Sequence, residues 1–219
     1  MQTQVDPGTL RERHREILRA VRNAGLARHM RALSVIYSDM QHAYDEVAKD
    51  LGFVCAGCPD NCCRTLFFQH TLVEWLALAA GLAQLPEEKW AEVVGRAERF
   101  VKRVREGGAG IGCPLFEDDL CILYHYRPMV CRLHGLPYRF DGADGTARFG
   151  AGCADFHRMN ATWPRSEKVL DRTPLYRAMV GVEQRMRHSL GFDRKIKLSV
   201  AEMILFVGEP GMFGTKENE

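Results

Sequence analysis

The sequence predicts a mainly α protein, a single helical domain with an irregular cysteine-rich insert that contains short β-hairpins. Two observations predict it: apolar residues recur at helical spacing in both flanks, and eight cysteines occur between them among turn-forming residues. A chain of 219 residues also suits one domain. We therefore expect one domain over 1–219, with a cysteine-cluster core over 50–155 flanked by packing helices over 9–51 and 166–208.

Two helices are predicted before the cysteines. The first ends at a break near Gly25, and the second ends before Gly52, a residue type that commonly terminates helices. We expect His14, His29 and His42, which lie on these helices, to be exposed. The apolar stripes comprise Leu10, Ile17, Leu18 and Val21, followed by Leu33, Ile36, Met40, Ala43, Tyr44, Val47 and Leu51.

Two more helices are predicted after the first cysteines. Thr71 and Glu74 have capping-box spacing at the start of a helix over 72–82, and Pro86 begins the next helix. The glycine-rich stretch 107–112 follows a charged helix rather than a strand, so we interpret it as a flexible linker and not as a nucleotide-binding loop. The helix that begins at Pro86 has a basic face, which we interpret as a solvated surface. This face comprises Arg96, Arg99, Lys102 and Arg103.

The remaining cysteine-rich segment predicts two hairpins. The acidic turn at 117–119 lies between apolar runs, and Pro128 is placed to begin a helical turn that carries Cys131. Two Asp-Gly pairs within 136–152 predict the second hairpin, which returns the chain to Cys153. Further helices are predicted over 175–190 and 198–207.

Composition excludes several classes of function. The formal net charge is +2 with the two signs interspersed, so we expect no nucleic-acid partner. The N-terminus lacks the pattern of a signal peptide, and the apolar run 72–85 is too short and too interrupted to span a bilayer. We therefore expect a cytoplasmic protein without a membrane segment.

A chain of this length does not need disulfides to fold, which favours metal binding by the cysteines.

The cysteines predict a metal site assembled from two distant segments. Four thiols fall within nine residues on a turn; a second group begins some fifty residues later with Cys113, Cys121 and Cys131, and Cys153 lies beyond it. Eight thiols would fit two four-thiolate sites, one iron-sulfur cluster with spare thiols, or a site with bridging ligands. Neighbouring side chains usually diverge, so we expect Cys62 and Cys63 to serve different metals, or one of them only to pack. The predicted ligands are Cys55, Cys58, Cys62, Cys63, Cys113, Cys121, Cys131 and Cys153.

Three arginines next to cysteines are candidates for contacts with the bound cofactor. They are Arg64, Arg127 and Arg132. A four-thiolate zinc or an oxidised [4Fe-4S] cluster with four thiolates has a net charge of about −2, and burying it needs compensating cations or donors. Ordinary surface charge is the alternative interpretation of these arginines.

The ordered cysteine motifs resemble a known family. C-x2-C-x3-C-C at 55–63, Cys113-Pro114, Cys121-Ile122-x-Tyr124 and Arg127-Pro128-x-x-Cys131-Arg132 are similar to the YkgJ-like cysteine-cluster family, described as a zinc- or iron-chelating domain. The resemblance covers roughly 50–155. Related clusters occur in flagellin lysine-N-methylases, which implies an iron-sulfur centre working with S-adenosylmethionine. This sequence is much shorter than those enzymes.

These observations lead to one favoured function and three alternatives. We expect an iron-sulfur cluster used for redox or radical-type chemistry, because the thiols exceed what one closed zinc site uses. A structural or metal-handling zinc protein, a protein methylase resembling the flagellin enzymes, and a thiol-reactive protein without metal are the alternatives. The sequence assigns no catalytic residue and no protein partner.

Overall fold

The computed structural model describes residues 6–23, 25–55, 62–108, 112–160 and 168–205. It is mainly helical, with small sheets and hairpins in the middle region, which confirms the predicted fold class. The helices are α1 Pro7–Asn23, α2 Ala27–Asp50, α3 Leu72–Leu82, α4 Glu87–Arg105, α5 Met129–Arg132, α6 Ala154–Met159, α7 Thr173–Leu190 and α8 Val200–Leu205. The strands are β1 Phe116–Glu117, β2 Leu120–Cys121, β3 Tyr138–Asp141, β4 Ala147–Gly150 and β5 Leu170–Asp171.

Helix α3 lies at the centre of the helical packing. It contacts α1, α2, α7 and α8, while α2 packs along α7 and α4 packs along α8. Every residue of α3 except Ala80 is buried, because neighbours cover the helix on nearly all sides. This explains why its sequence is apolar almost throughout and does not show the single stripe of a surface helix.

The N-terminus of α3 is capped by a distant residue. The hydroxyl of Thr71 donates to the Glu74 carboxylate at 2.6 Å, but the Thr71 side chain does not accept from the helix backbone. The Glu183 carboxylate of α7 accepts instead from the N–H groups of Leu72 and Val73, at 2.8 and 2.9 Å. The helix begins where we predicted, and an acid on another helix satisfies its free donors.

Both predicted hairpins are present. Strands β1 and β2 pair antiparallel around Asp118 and Asp119, which have φ of 47° and 61°, as a tight turn of the I′ type requires. Strands β3 and β4 form the second hairpin, and β5 joins β3 in parallel to give the order β4-β3-β5. The sequence did not predict β5.

The histidine prediction was wrong for two of its three residues. His42 is exposed as expected, but His14 and His29 are only 0% and 3% exposed. His14 donates from Nε2 to the carbonyl of Ile204 at 3.1 Å, and its ring meets the edge of Trp90 at a centroid distance of 4.7 Å. Burial lowers the pKa of His14 to about 4, and the hydrogen bond with Ile204 opposes that shift.

Some predictions concern residues that the structure does not describe. Cys58, the middle of the glycine linker at 109–111, and the end of the last predicted helix beyond 205 lie outside the described residues. The assignment of one domain to the whole chain stays a prediction. No helix in the described ranges combines the length and the apolar character needed to cross a membrane.

Candidate metal centre

A backbone hydrogen bond joins the two cysteine segments. The N–H of Cys113 donates to the carbonyl of Cys63 at 2.6 Å, although the two residues are 50 positions apart. Helices α3 and α4 lie between them in sequence, so this bond closes the ends of the α3–α4 segment. The carbonyl of Cys113 then accepts from Phe116 at 3.0 Å, which leads into the β1–β2 hairpin.

Five thiols line one cavity beside this bond. The cavity has a volume of about 40 Å³, several times the space that one buried water needs. Cys62 and Cys63 both line it. That they serve different metals, or that one of them only packs, stays a prediction. The lining cysteines, which we call the cavity cysteines, are Cys62, Cys63, Cys113, Cys121 and Cys131.

The rest of the cavity wall is largely apolar. Phe100 comes from the C-terminal half of α4, and Val200 and Ala201 come from the start of α8. The segment after Cys63 contributes Leu66 and Phe67. Such a wall lowers the local dielectric, so charge on the thiols is costly unless a cation compensates it.

Helix α5 presents Cys131, and a buried acid of α3 holds that helix in place. Pro128 stands at the N-cap, and its carbonyl accepts from the N–H of Cys131 at 2.9 Å. The N–H of Met129, the first residue of α5, donates to Glu74 Oε1 at 2.5 Å. Glu74 is 1% exposed and also accepts from the hydroxyl of Tyr37 at 3.3 Å. The core helix α3 therefore fixes the position of Cys131.

The thiols influence each other's ionisation. A hydrogen bond with Cys63, together with burial, raises the pKa of Cys62. A hydrogen bond with Cys113, together with burial, raises the pKa of Cys63 to about 12. Burial raises the pKa of Cys121, opposed by a backbone hydrogen bond from Leu123. The raised pKa values favour the neutral form of Cys62, Cys63 and Cys121, whereas a bound metal would deprotonate them.

Burial also dominates at Cys131. It raises the pKa of this thiol well above the ordinary value, and negative charge on Cys62, Cys121 and Cys63 adds to the shift. These thiols therefore lie close enough to repel one another as thiolates.

Only Arg127 of the three predicted arginines lines the cavity. Its guanidinium lies 3.5 Å from the ring centroid of Tyr124, and its Nε donates to the carbonyl of Tyr124 at 3.2 Å. Arg132 lies over the ring of Tyr37 at 3.8 Å, and Arg64 is exposed, 5.8 Å from the ring centroid of Phe116. A cation is thus present beside the thiols, and the other two arginines pack on aromatic rings.

Cys55 and Cys153 do not line the cavity. Cys55 is exposed, whereas Cys153 is buried and caps α6, with its sulfur accepting from the N–H of Phe156 at 3.4 Å. Both act on Tyr44: burial first, and then negative charge at Cys55 and Cys153, raise the pKa of this phenol. None of the seven described cysteines is in a disulfide, and their predicted role as ligands stays a prediction.

Comparisons with known proteins add no relative. In the described parts of the chain, no group of three or more histidine, cysteine, aspartate or glutamate side chains has the arrangement that would hold a metal ion. No protein-family model, no curated protein and no solved structure matches the chain. The resemblance to the YkgJ-like family rests on the cysteine motifs alone.

Sequence reasoning missed the part that Glu74 plays at this site. We interpreted it as a helix cap, yet it connects α3, α2 and α5 through its carboxylate. One signal was available: Glu74 is the only charged residue of the apolar stretch that forms α3. A charged residue is rarely buried unless specific partners compensate its charge. A single glutamate in an otherwise apolar helix therefore indicates that such partners exist.

Proposed function

We propose that this protein binds metal through the cavity cysteines, and that the bound group is an iron-sulfur cluster used for redox or radical-type chemistry. The observation that carries the proposal is that five thiols from separate segments line a single cavity with a mostly apolar wall. Thiolate ligand sets favour zinc, Cu(I) and iron-sulfur clusters. Five thiols exceed the four of a closed zinc site, which favours the cluster.

The residues present suit such a group chemically. When bound, an iron-sulfur cluster supplies one-electron transfer. Arg127 contributes positive charge at the cavity wall, where it opposes the raised pKa values of Cys62 and Cys121. Phe67 and Phe100 line the cavity and add apolar surface beside the sulfurs. Charge, hydrogen bonds to sulfur and solvent exclusion are the features that adjust the potential of such clusters.

The finer assignments belong to the same proposal. The order and spacing of the cysteines support membership of the YkgJ-like family, and free thiols suit the reducing cytoplasm. The alternative is a zinc protein without catalysis. Measuring the metal content distinguishes it from an iron-sulfur protein.

The test is anaerobic purification of the full chain, followed by iron, sulfide and zinc analysis. We expect iron with acid-labile sulfide and absorption at roughly 400 nm. The double variant Cys63→Ser with Cys131→Ser keeps only three of the five cavity cysteines, fewer than the four that a cluster needs, and is expected to lose most of the iron. Val200→Ala is the matched control, because it changes the same cavity wall without touching a thiol, and it is expected to keep the iron.

Three results would contradict the proposal in different ways. Stoichiometric zinc without iron would replace the cluster with the zinc alternative. Absence of any metal after anaerobic preparation would remove metal binding altogether. Full iron content in the double variant Cys63→Ser with Cys131→Ser would show that the metal lies elsewhere than in this cavity.

A further inference from the structure

A second, open cleft adjoins the cysteine cavity. It has a volume of about 530 Å³ and lies between the C-terminal half of α4 and the segment 112–116. This volume falls within the range of small-molecule sites. Four of its lining residues are basic and one is acidic: Arg96, Arg99, Lys102 and Arg103, with Glu106.

Most of the positive charge in this cleft lacks a counterion. Arg96 pairs with Glu117 at 3.1 Å and with Glu92 at 3.3 Å. Within the described residues, no carboxylate forms an ion pair with Arg99, Lys102 or Arg103. Like charges three and four positions apart on one helix repel each other.

The helix dipole accounts for only part of this charge. Cations are favourable in the last turn of a helix, which here includes Lys102 and Arg103. Arg99 lies before that turn and is exposed to solvent at the cleft. A bound anion would relieve the repulsion among all three side chains.

The floor of the cleft is apolar and partly aromatic. Phe100 is 7% exposed, Phe116 is half-buried, and Pro114 is buried. A site that combines cations with such a floor suits a ligand with an anionic part and a planar or apolar part. Guanidinium groups bind phosphate oxygens in pairs, which favours phosphate as the anionic part.

The cleft shares its wall with the candidate metal centre. Phe100, Cys113 and Pro114 line both the cleft and the cysteine cavity. A ligand in the cleft would therefore lie against the residues that enclose the thiols. This contact gives the cleft a position suited to a substrate or an effector of the metal centre.

We infer that this cleft binds a phosphorylated small molecule with a planar group, of which a nucleotide is the simplest representative. The inference rests on the basic lining, the aromatic floor and the volume of the cleft. Its extension, that the ligand serves the metal centre, rests on the proposed function. The binding step itself does not require a metal.

The experiment is calorimetric titration of the full chain with ATP at low ionic strength. The double variant Arg99→Gln with Arg103→Gln is expected to weaken ATP binding at least tenfold, because it removes two unpaired cations. The matched control is Arg31→Gln with Arg177→Gln, an equal charge change at exposed positions outside the cleft, and we expect less than a twofold change.

Three further ligands identify which part of ATP is recognised. Pyrophosphate is expected to bind and adenosine to bind much more weakly, since the phosphates supply the charge. Absence of ATP binding by the wild-type chain, or equal weakening in both double variants, would overturn the cleft as a site. Citrate binding as tightly as pyrophosphate would overturn the assignment of phosphate.

A cysteine variant separates this inference from the proposed function. The double variant Cys63→Ser with Cys131→Ser, checked for native helix content by circular dichroism, is expected to lose metal and to retain ATP binding. If the folded variant lost ATP binding, the ligand would occupy the cysteine cavity and its placement in the cleft would be wrong. Metal content of the wild-type chain tests the proposed function independently of either result.

Discussion

Replacing Glu74 with leucine is expected to loosen the attachment of Cys131 to the core. Three donors lose their acceptor: the N–H of Met129 at 2.5 Å and the hydroxyl of Tyr37 at 3.3 Å both reach Oε1 of this carboxylate, and the hydroxyl of Thr71 reaches Oε2. The half-buried Thr71 hydroxyl can rotate toward water, so the first two donors carry the cost. A buried donor left without a partner costs about 1–3 kcal/mol. The expected loss in the free energy of unfolding is therefore about 2–6 kcal/mol.

Glu74→Gln is the matched control for this change. Its amide oxygen can take the place of Oε1 and accept from Met129 and Tyr37. Its NH2 group can donate to the hydroxyl of Thr71, which now donates to Oε2 at 2.6 Å. All three contacts are kept, so we expect stability at neutral pH to change little or to rise.

The control also tests the charge on this group. Burial raises the pKa of Glu74 above its ordinary value, with hydrogen bonds opposing the shift. The native state therefore retains the proton at pH values where the unfolded chain has released it, and the stability falls as pH rises above the ordinary glutamate pKa. Glu74→Gln cannot release a proton and should lack this slope.

Urea denaturation followed by circular dichroism at pH 5 and pH 8 measures both effects, and metal content measures the consequence for Cys131. We expect the leucine variant to be destabilised and poor in metal, and the glutamine variant to retain metal. The reasoning would be refuted by a leucine variant as stable as the wild type. A glutamine variant as unstable as the leucine variant would refute it as well.

Two other positions yield predictions about stability. The pKa of His14 is about 4 in the folded state against an ordinary value of 6.5, so the unfolded state binds more protons at pH values between the two. The free energy of unfolding therefore falls as pH drops below 6.5, by about 2 kcal/mol from pH 7.5 to pH 5. His14→Leu should not show this loss in denaturation curves; parallel losses in both proteins would contradict the assignment. Gly135→Ala should cost about 2–5 kcal/mol, because φ is 113° and the new Cβ would lie 2.8 Å from the hydroxyl of Tyr44. Gly145→Ala, at φ 75° with open space around it, is the control in thermal melts and should cost about 1–2 kcal/mol; equal costs would rule out the clash.

Local signals predicted most of the fold. Helix α2 ends just before Gly52, and α7 ends just before Gly191, which have φ of 62° and 60°, and the sequence marks both positions with glycine after an apolar stripe. The Asp118-Asp119 turn likewise lies where acidic residues interrupt apolar runs. Such features depend on residues a few positions apart, so sequence reasoning can find them.

Contacts between distant residues were not predictable in this way. Glu183 caps α3 across 111 positions, and β5 pairs with β3. His14 is buried because α1, α4 and the end of α8 enclose it. These outcomes depend on which faces meet after packing, and no local propensity encodes that information.

The candidate site was predictable only in part, because its cysteine motifs are local and its walls depend on distant contacts. Thiol spacing indicated that two segments would meet, and Cys63 and Cys113 do so. It did not indicate which thiols would share a cavity, nor that Arg132 would lie over Tyr37. Ring contacts and cavity walls depend on the packing of α2, α4 and α8, which the cysteine motifs do not specify.

The bond between Cys63 and Cys113 also sets an order of events on the ribosome. Cys113 is made 50 residues after Cys63, which at bacterial or eukaryotic elongation rates takes roughly 3–10 seconds. For most of that interval Phe100 is still to be made, and α8 is made only after Cys113, so the thiols of the first segment lack the complete cavity wall. The sulfurs of the first segment therefore become enclosed only after α4, the second cysteine segment and α8 have been made and have packed together.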